Sequence, residues 1–383
     1  MIKRTVENTI EKYLKSDSHK ILFIWGPRRS GKTTILKSLS ARLKAPLFNF
    51  DTESDKAKFT TDRSLLQSIA ASHQVILIDE VQNHPGATMA LKILFDEFHL
   101  KIIATGSSEL RQKDNNFDSL TGRFIEAYCL PLSIYEIYEN QALLPYEKPV
   151  LVKSIKHDAQ IFGSYPELYA VPSMSDTQKI NILENILDTF VVKDITTIYD
   201  LKNNKLAKDI LTKVALQIGS EVSLREIASS LQANVTTVSN YIEIFIKNYI
   251  LLPLPSFKTN MRKAVSENRK LYFYDLGLRN ALLKDFRPLE LRPDLGGINE
   301  NFIVSEIQKE LKNEQIQKTI YFYREYGGKE IDLIIEDYYK QYTCVEIKST
   351  KGKNNDIFPL PHHRTTITAL NYFEKIKNVL KSS

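Results

Sequence analysis

Residues Gly26 to Thr34 read Gly-Pro-Arg-Arg-Ser-Gly-Lys-Thr-Thr, a G-x-x-x-x-G-K-[ST] loop with every required position filled. The apolar run Ile21 to Trp25 ahead of it reads as a buried strand, and Ile35 to Leu43 behind it reads as a helix, which is the context this loop requires. No other feature constrains the fold as much, because a wholly apolar strand feeding a helix belongs in a parallel sheet with helices on both faces, an α/β fold. Gly26 and Gly31 let the backbone turn so that its N–H groups and the helix N-terminus face an anion. Pro27, Arg28, Arg29, Ser30 and Thr34 complete a cradle suited to the phosphates of ATP, with Lys32 neutralising the β- and γ-phosphates and the Thr33 hydroxyl ligating Mg²⁺.

A second segment supplies what such a loop needs. Val75 to Ile78 is an aliphatic run ending in Asp79-Glu80, as expected of a buried parallel strand with acids at its C-terminal edge, where ligand chemistry in such sheets occurs. Asp79 is suited to hold Mg²⁺ through its water shell, and Glu80 to polarise an attacking water as general base. Lys101 to Ala104 reads as another short strand running into Thr105-Gly106-Ser107-Ser108. The hydroxyls there, Ser107 among them, are expected to sense the γ-phosphate from the adjacent strand end; the same four residues also describe an ordinary turn.

A chain of 383 residues is long enough for two or three domains. Its two cysteines, Cys129 and Cys344, are far apart and lack metal-ligand spacing, so neither a disulfide framework nor a zinc site is indicated and a reducing cytoplasm is expected. The N-terminus is polar and helix-like rather than a secretory signal, and no apolar stretch approaches the roughly 20 residues of a membrane span.

The formal charge of +6 is concentrated. Between Pro253 and Lys284, seven basic residues (Lys258, Arg262, Lys263, Arg269, Lys270, Arg279, Lys284) face two acids, Glu267 and Asp275. Such a segment reads either as a phosphodiester-binding patch or as a solvated face. Ahead of it, Ser223-Leu224-Arg225-Glu226 is a capping box opening a short helix. After the turn Gln232-Ala233-Asn234, a second helix runs from about Thr236 to Tyr249. Two short helices on a tight turn, followed by Leu251 to Pro255, the basic loop and Arg269 to Tyr274 as a wing, describe a winged helix. Thr236, Thr237, Ser239 and Asn240 are then the groove-facing candidates for double-stranded DNA, although such modules also bind proteins.

The last third holds a separate constellation. Asn299 to Leu311 reads as an amphipathic helix containing Glu300 and Glu306, Glu330 to Ile335 as a strand carrying Asp332, and Thr343 to Lys348 as a strand containing Glu346-Ile347-Lys348. In E-x-K both charged side chains point to one face, because strand side chains alternate. Two carboxylates there can hold Mg²⁺ while the ammonium orients water for attack on a phosphodiester; an edge strand facing water is the alternative.

The order G-P-R-R-x-G-K-T-T, V-I-L-I-D-E-V-Q (Val75 to Gln82), I-A-T-G-S-S (Ile103 to Ser108), L-T-G-R (Leu120 to Arg123), P-L-S (Pro131 to Ser133), G-S-Y-P-E (Gly163 to Glu167), K-L-Y-F-Y-D-L-G-L (Lys270 to Leu278), E-I-D-L-I-I (Glu330 to Ile335) and V-E-I-K (Val345 to Lys348) resembles the prokaryotic AAA-like ATPases fused to the domain of unknown function 4143. The resemblance covers nearly the whole chain. It implies an AAA-type P-loop ATPase, a winged-helix region and a small α/β domain similar to the PD-(D/E)xK nucleases. The nuclease-type positions would be Asp332, Glu346, Lys348 and a helix acid, Glu300 in preference to Glu306. By the same comparison Arg123 is a candidate γ-phosphate-sensing arginine, with a surface salt bridge as the other reading. Arg28 and Arg29 would touch phosphate or a neighbouring subunit.

The expected division is an ATPase over 1–142, a helical region over 143–200, a winged helix over 201–286 and a nuclease-like domain over 287–383. Three functions stay open: an ATP-driven enzyme acting on DNA, a nucleotide switch that binds a protein partner or a second copy of itself, and a kinase-like phosphotransferase, for which no acceptor-binding segment is visible.

Overall fold

The computed structural model describes residues 2–84, 86–106, 117–141, 144–171, 173–189, 203–258, 269–325, 328–348 and 356–381. The chain divides into two compact units, Lys3–Leu130 and Pro131–Ser383.

The first unit is built on a five-stranded sheet in the order β2-β3-β4-β1-β5, with β1 Ile21–Trp25, β2 Leu47–Asn49, β3 Val75–Asp79, β4 Lys101–Gly106 and β5 Phe124–Tyr128. Every neighbouring pair runs parallel. All five residues of β1 are buried, and their alternation divides the core between the two faces of the sheet. Leu22 and Ile24 pack with Val6, Ile10 and Tyr13 of α1 (Thr5–Lys15) and with Ile35, Leu36 and Leu39 of α2 (Lys32–Leu43). Phe23 and Trp25 stack with ring centroids 5.1 Å apart. Each such fully buried aliphatic or aromatic side chain contributes about 1.5–3 kcal/mol. Helices α3 (Glu53–Lys56), α4 (Arg63–Ser72) and α5 (Ala87–Asp96) belong to the crossovers. Because the strands are parallel, the C-terminal ends of β1, β3 and β4 open on one edge, and Gly26, Asp79-Glu80 and Gly106 emerge there together.

The first compact unit ends at Leu130, short of the expected ATPase limit at Ala142. The reason lies in hydrogen bonding just beyond it. Leu132 N donates to Ser164 O (2.8 Å), Ile134 N donates to Glu306 Oε2 (2.9 Å), and the Ser133–Glu136 capping box starts α6 (Ile134–Glu139). These residues therefore fold with the second unit.

That unit continues through α7 (Lys148–Ile161), α8 (Asp176–Ile186) and α9 (Asn204–Leu216). Next come α10 (Leu224–Ser230), whose N-terminal amide is capped by Ser223, and α11 (Val235–Lys247), capped by Asn234. Strands β6 (Leu251–Pro255) and β7 (Arg269–Phe273) form an antiparallel pair, followed by α12 (Leu276–Leu283) and the long α13 (Leu295–Asn313). The final sheet has the order β11-β10-β9-β8, from β8 Thr319–Arg324, β9 Glu330–Glu336, β10 Tyr342–Lys348 and β11 His362–Thr368. Phe257, Ile331, Ile334, Cys344 and Phe358 form one of its cores.

Two features of this unit depart from the sequence reading or explain it. By its sequence Thr365 to Leu380 reads as a closing helix with Leu370, Phe373 and Ile376 on its packing face; the helix begins only at Tyr372 (α14, Tyr372–Lys381), because His362 to Thr368 pair in parallel with β10. Leu370, read as part of the helix packing face, is 96% exposed. Gly163 has φ +77°, and a Cβ on it would lie 2.1 Å from the Asp275 carboxylate, which accepts Ser164 N (2.6 Å) and caps α12 through Leu278 N (3.0 Å). The glycine of G-S-Y-P-E is thus required by a buried aspartate more than a hundred residues away.

Candidate functional site

At the sheet edge of the first unit, Gly31 has φ +100°, a left-handed conformation that glycine adopts without strain, and α2 begins at the next residue. Lys32, 4% exposed, turns its ammonium back to donate to the carbonyls of Gly26 (2.9 Å) and Pro27 (2.8 Å). Burial pulls this amine below its ordinary value, against the fields of Glu80, Cys129 and Asp79. The Ser30 hydroxyl is buried and has no hydrogen-bond partner among the described residues. Gly26 passes so close to β5 that a Cβ would lie 2.0 Å from Cys129 O.

The acids take distinct positions. Asp79, buried at the end of β3, accepts hydrogen bonds from the Thr105 hydroxyl on β4 and from Glu80 N (3.1 Å). Glu80 itself has φ +55° and ψ +44°, a strained conformation for a side-chain-bearing residue and one concentrated at functional sites. Its carboxylate accepts a hydrogen bond from Gln82 Nε2, and Gln82 is buried.

One contributor carries no local signal. Arg4, buried just ahead of α1, donates through Nη1 to Ser30 O and Cys129 Sγ (3.3 Å) and through Nη2 to Leu130 O (2.6 Å). Its guanidinium ties the loop backbone to the end of β5.

The second unit brings together Glu300 of α13 with Glu330 and Asp332 of β9, carboxylate oxygens lying within 4.8 Å of one another. By donor type and spacing these fit a divalent cation. Yet a cation already stands among them. Lys270 of β7, with no solvent exposure, donates to Glu300 Oε1 (2.7 Å) and to Glu330 Oε1, and Tyr272, two residues along the same strand, donates to Glu300 Oε1 (2.5 Å). Burial works against the charge on Lys270, but Glu300 and Glu330 outweigh it and hold its pKa above the ordinary value. Burial, with Glu300 beside it, pushes Asp332 up to about 7, although Ile347 N donates to its Oδ2 (2.7 Å). The β9–β10 pairing runs from Tyr342–Glu336 to Val345–Leu333, so this side-chain bond takes over where the ladder stops.

Three family models match the chain. Residues 18–138 match an AAA domain, 156–289 the domain of unknown function DUF8612, and 295–360 the domain of unknown function DUF4143. The chain joins an AAA domain to a 4143 domain. An uncharacterized protein of Haemophilus influenzae is 24% identical over 292 residues, covering 71% of this chain and 72% of its own length. One of Methanocaldococcus jannaschii is 22% identical over 312 residues, covering 72% and 65%. Among solved structures, the Aeropyrum pernix ORC1 protein in complex with DNA aligns with a TM-score of 0.32 at 13% identity, covering 73% of this chain and 90% of that one. The Bacillus subtilis DNA clamp loader delta protein aligns with a TM-score of 0.30 at 10% identity, covering 79% and 99%.

Within the AAA domain, Arg123 makes the salt bridge that was the second of its two readings. It precedes β5, pairs with Asp96 (2.7 Å), and its carbonyl accepts the amide of Ile21 at the start of β1. The loop lies at the other end of β1, a strand of roughly 3.3 Å per residue, so Arg123 does not reach this chain's own phosphate site. Ser107 lies outside the described residues. Arg29 and Thr34 are exposed, Arg28 and Thr33 half-buried, and Pro27 buried.

In the 4143 domain, Glu300 lies beside Asp332, whereas Glu306 is buried against Lys309 (2.7 Å) and Ile134 N. Glu346 Oε2 lies 3.6 Å from Lys348 Nζ, and Glu346 Oε1 is buried without a hydrogen-bond partner among the described residues. Sequence reasoning passed over Glu330, although period-two alternation puts it on the face of Asp332, and counted Lys270 as surface charge.

The basic segment 253–284 is corrected as well. Lys270 and Arg279 are buried, Arg279 donating to Ala215 O (2.8 Å), and Arg269 pairs with Glu243 (2.7 Å). Arg262 and Lys263 lie outside the described residues. The segment is therefore not a continuous basic face. On α11, Thr236 and Asn240 are exposed and Thr237 and Ser239 half-buried. Among the described residues, no helix is long and apolar enough to cross a membrane.

Proposed function

We propose that this chain binds ATP with Mg²⁺ at Gly26–Thr34 and hydrolyses it, and that nucleotide state governs contact with double-stranded DNA through a winged-helix region over 201–286. The observation that carries the ATP reading is Lys32. Its buried ammonium rests on two neutral carbonyls, partners that a polyanion readily outbids. Around it, the Thr33 hydroxyl and the Asp79 carboxylate are hard oxygen donors suited to Mg²⁺, which when bound supplies charge neutralisation at the phosphates. Glu80, fixed by Gln82, is the base that takes a proton from the attacking water. The exposed Arg29 is a further donor on the loop, and the Ser30 hydroxyl is buried within it.

The DNA reading is supported by the exposed polar residues Thr236 and Asn240 near the start of α11. The loss of Lys270, Arg279 and Arg269 from the basic face favours a second reading, a nucleotide switch whose second unit binds a protein partner or a second copy of the chain. Steady-state phosphate release separates them. The DNA reading expects turnover stimulated by duplex DNA and quenched by salt, whereas turnover indifferent to DNA supports the switch. In either case Glu80→Gln retains ATP binding and lowers turnover about 10²–10⁴-fold; undiminished hydrolysis in that variant removes Glu80 from the role.

A further inference from the structure

We propose that the carboxylate cluster of the 4143 domain keeps the ammonium of Lys270 as its resident cation in place of a divalent metal, making the domain a non-cleaving module with a latent metal site. The inference goes beyond the ATP reading. It touches that reading only in correcting the nuclease-like role expected of Glu300, Asp332, Glu346 and Lys348.

The position is already filled. Lys270 Nζ lies 2.7 Å from Glu300 Oε1 and also bonds Glu330 Oε1, and those two carboxylates supply two of the three oxygens that lie within 4.8 Å. An ion shared by the three acids would sit against this ammonium, and like charges at such separation repel strongly in a low-dielectric site. Nor does the lysine have a way out. Its side chain has no solvent exposure, its Nζ lies 5.4 Å from the centre of the Phe322 ring, and its backbone pairs with Leu254 on one side and bridges to Glu221 on the other.

Three further donors bind oxygens of the same cluster. Tyr272 Oη binds Glu300 Oε1 (2.5 Å), Arg324 Nε binds Glu330 Oε2 (2.8 Å), and Ile347 N binds Asp332 Oδ2 (2.7 Å). A metal bound through those oxygens would have to displace these donors. Glu346, 7% exposed, points one oxygen into the interior without a hydrogen bond among the described residues, which leaves a carboxylate in reserve once the ammonium is gone. What the cluster does in the intact protein is fasten β7, α13 and β9 to one another.

The test uses the full chain without nucleotide and Mn²⁺ as the probe, followed by electron paramagnetic resonance of the free ion and by metal-dependent thermal shift. Wild type and Asp332→Asn are expected to behave alike, with no specific Mn²⁺ site in either. Lys270→Gln is expected to gain one site, at least about tenfold tighter than any in wild type, and to lose it in Lys270→Gln/Asp332→Asn. A wild-type Mn²⁺ site abolished by Asp332→Asn, or Mg²⁺-dependent strand cleavage by wild type abolished by the same change, overturns the proposal, as does folded Lys270→Gln that binds no metal. If Lys270→Gln does not fold, the wild-type and Asp332→Asn pair decides alone. Because no nucleotide is present, a chain that fails to bind ATP leaves the result intact.

Discussion

Lys32 and Lys270 are both buried lysines, and they have opposite chemistry. Lys32 rests on the neutral carbonyls of Gly26 and Pro27, and burial depresses its pKa. Lys270, also buried, rests on two carboxylates that raise its pKa against the cost of burial. The first has only neutral hydrogen-bond partners; the second has found its anions within the chain. What distinguishes a binding lysine from a structural one is therefore not exposure but whether the charge is already balanced.

The comparison is sharpened most by removing each ammonium. Lys270→Met leaves the half-buried Glu300 with Tyr272 and Glu330 with Arg324 as remaining donors but without the ammonium they share, and is expected to cost about 3 kcal/mol in chemical denaturation; a cost below about 1 kcal/mol would mean the cluster is solvated. Lys32→Met should leave denaturation within about 1 kcal/mol of wild type, because a desolvation penalty disappears along with two hydrogen bonds. Its effect belongs to binding, a loss of about 100-fold or more in affinity for ATP·Mg²⁺ by calorimetry, near 3 kcal/mol. Equal stability losses in the two variants would erase the distinction drawn here.

A pH titration tests the acidic side of the second cluster. Asp332 holds its proton up to about pH 7 in the folded chain, whereas an unfolded aspartate releases it near pH 4, roughly. Between those values the folded state binds more protons, so stability falls as pH rises through the window and levels off above it. Asp332→Asn keeps an acceptor for Ile347 N and removes that fall, for an expected gain of about 2–4 kcal/mol at pH 8 relative to pH 4. A parallel pH profile in the two proteins would show that Asp332 titrates normally. The smallest expected effect is at Arg4: Arg4→Lys cannot reach Ser30 O and Leu130 O together, and should weaken ATP binding about tenfold, near 1.4 kcal/mol, with unchanged denaturation as the control.

Much of the fold was legible, and the reasons are local. The run Ile21–Trp25 with no polar side chain could only be an interior strand, and Gly31 at φ +100° is the residue type that position requires. Asp79-Glu80 followed from the same reasoning, since an aliphatic run ending in acids marks a strand end. The short strand His362–Thr368 was not legible: its only buried apolar residue is Ile367, and its conformation is imposed by pairing with β10. Arg123 stood open between phosphate sensing and a salt bridge because its motif does not name its partner, Asp96, which only packing brings to it.

By itself the amino-acid order determined the phosphate loop, the acids beside it and the alternation that sorts the sheet faces, because each of these is written within a few consecutive residues through backbone geometry. Only the tertiary structure decided that Arg4 braces a loop 26 residues away, and that Lys270 neutralises carboxylates 30 and 60 residues further on. Which charge balances which depends on separations in space of a few ångströms, and linear order does not encode those until the strands and helices have packed.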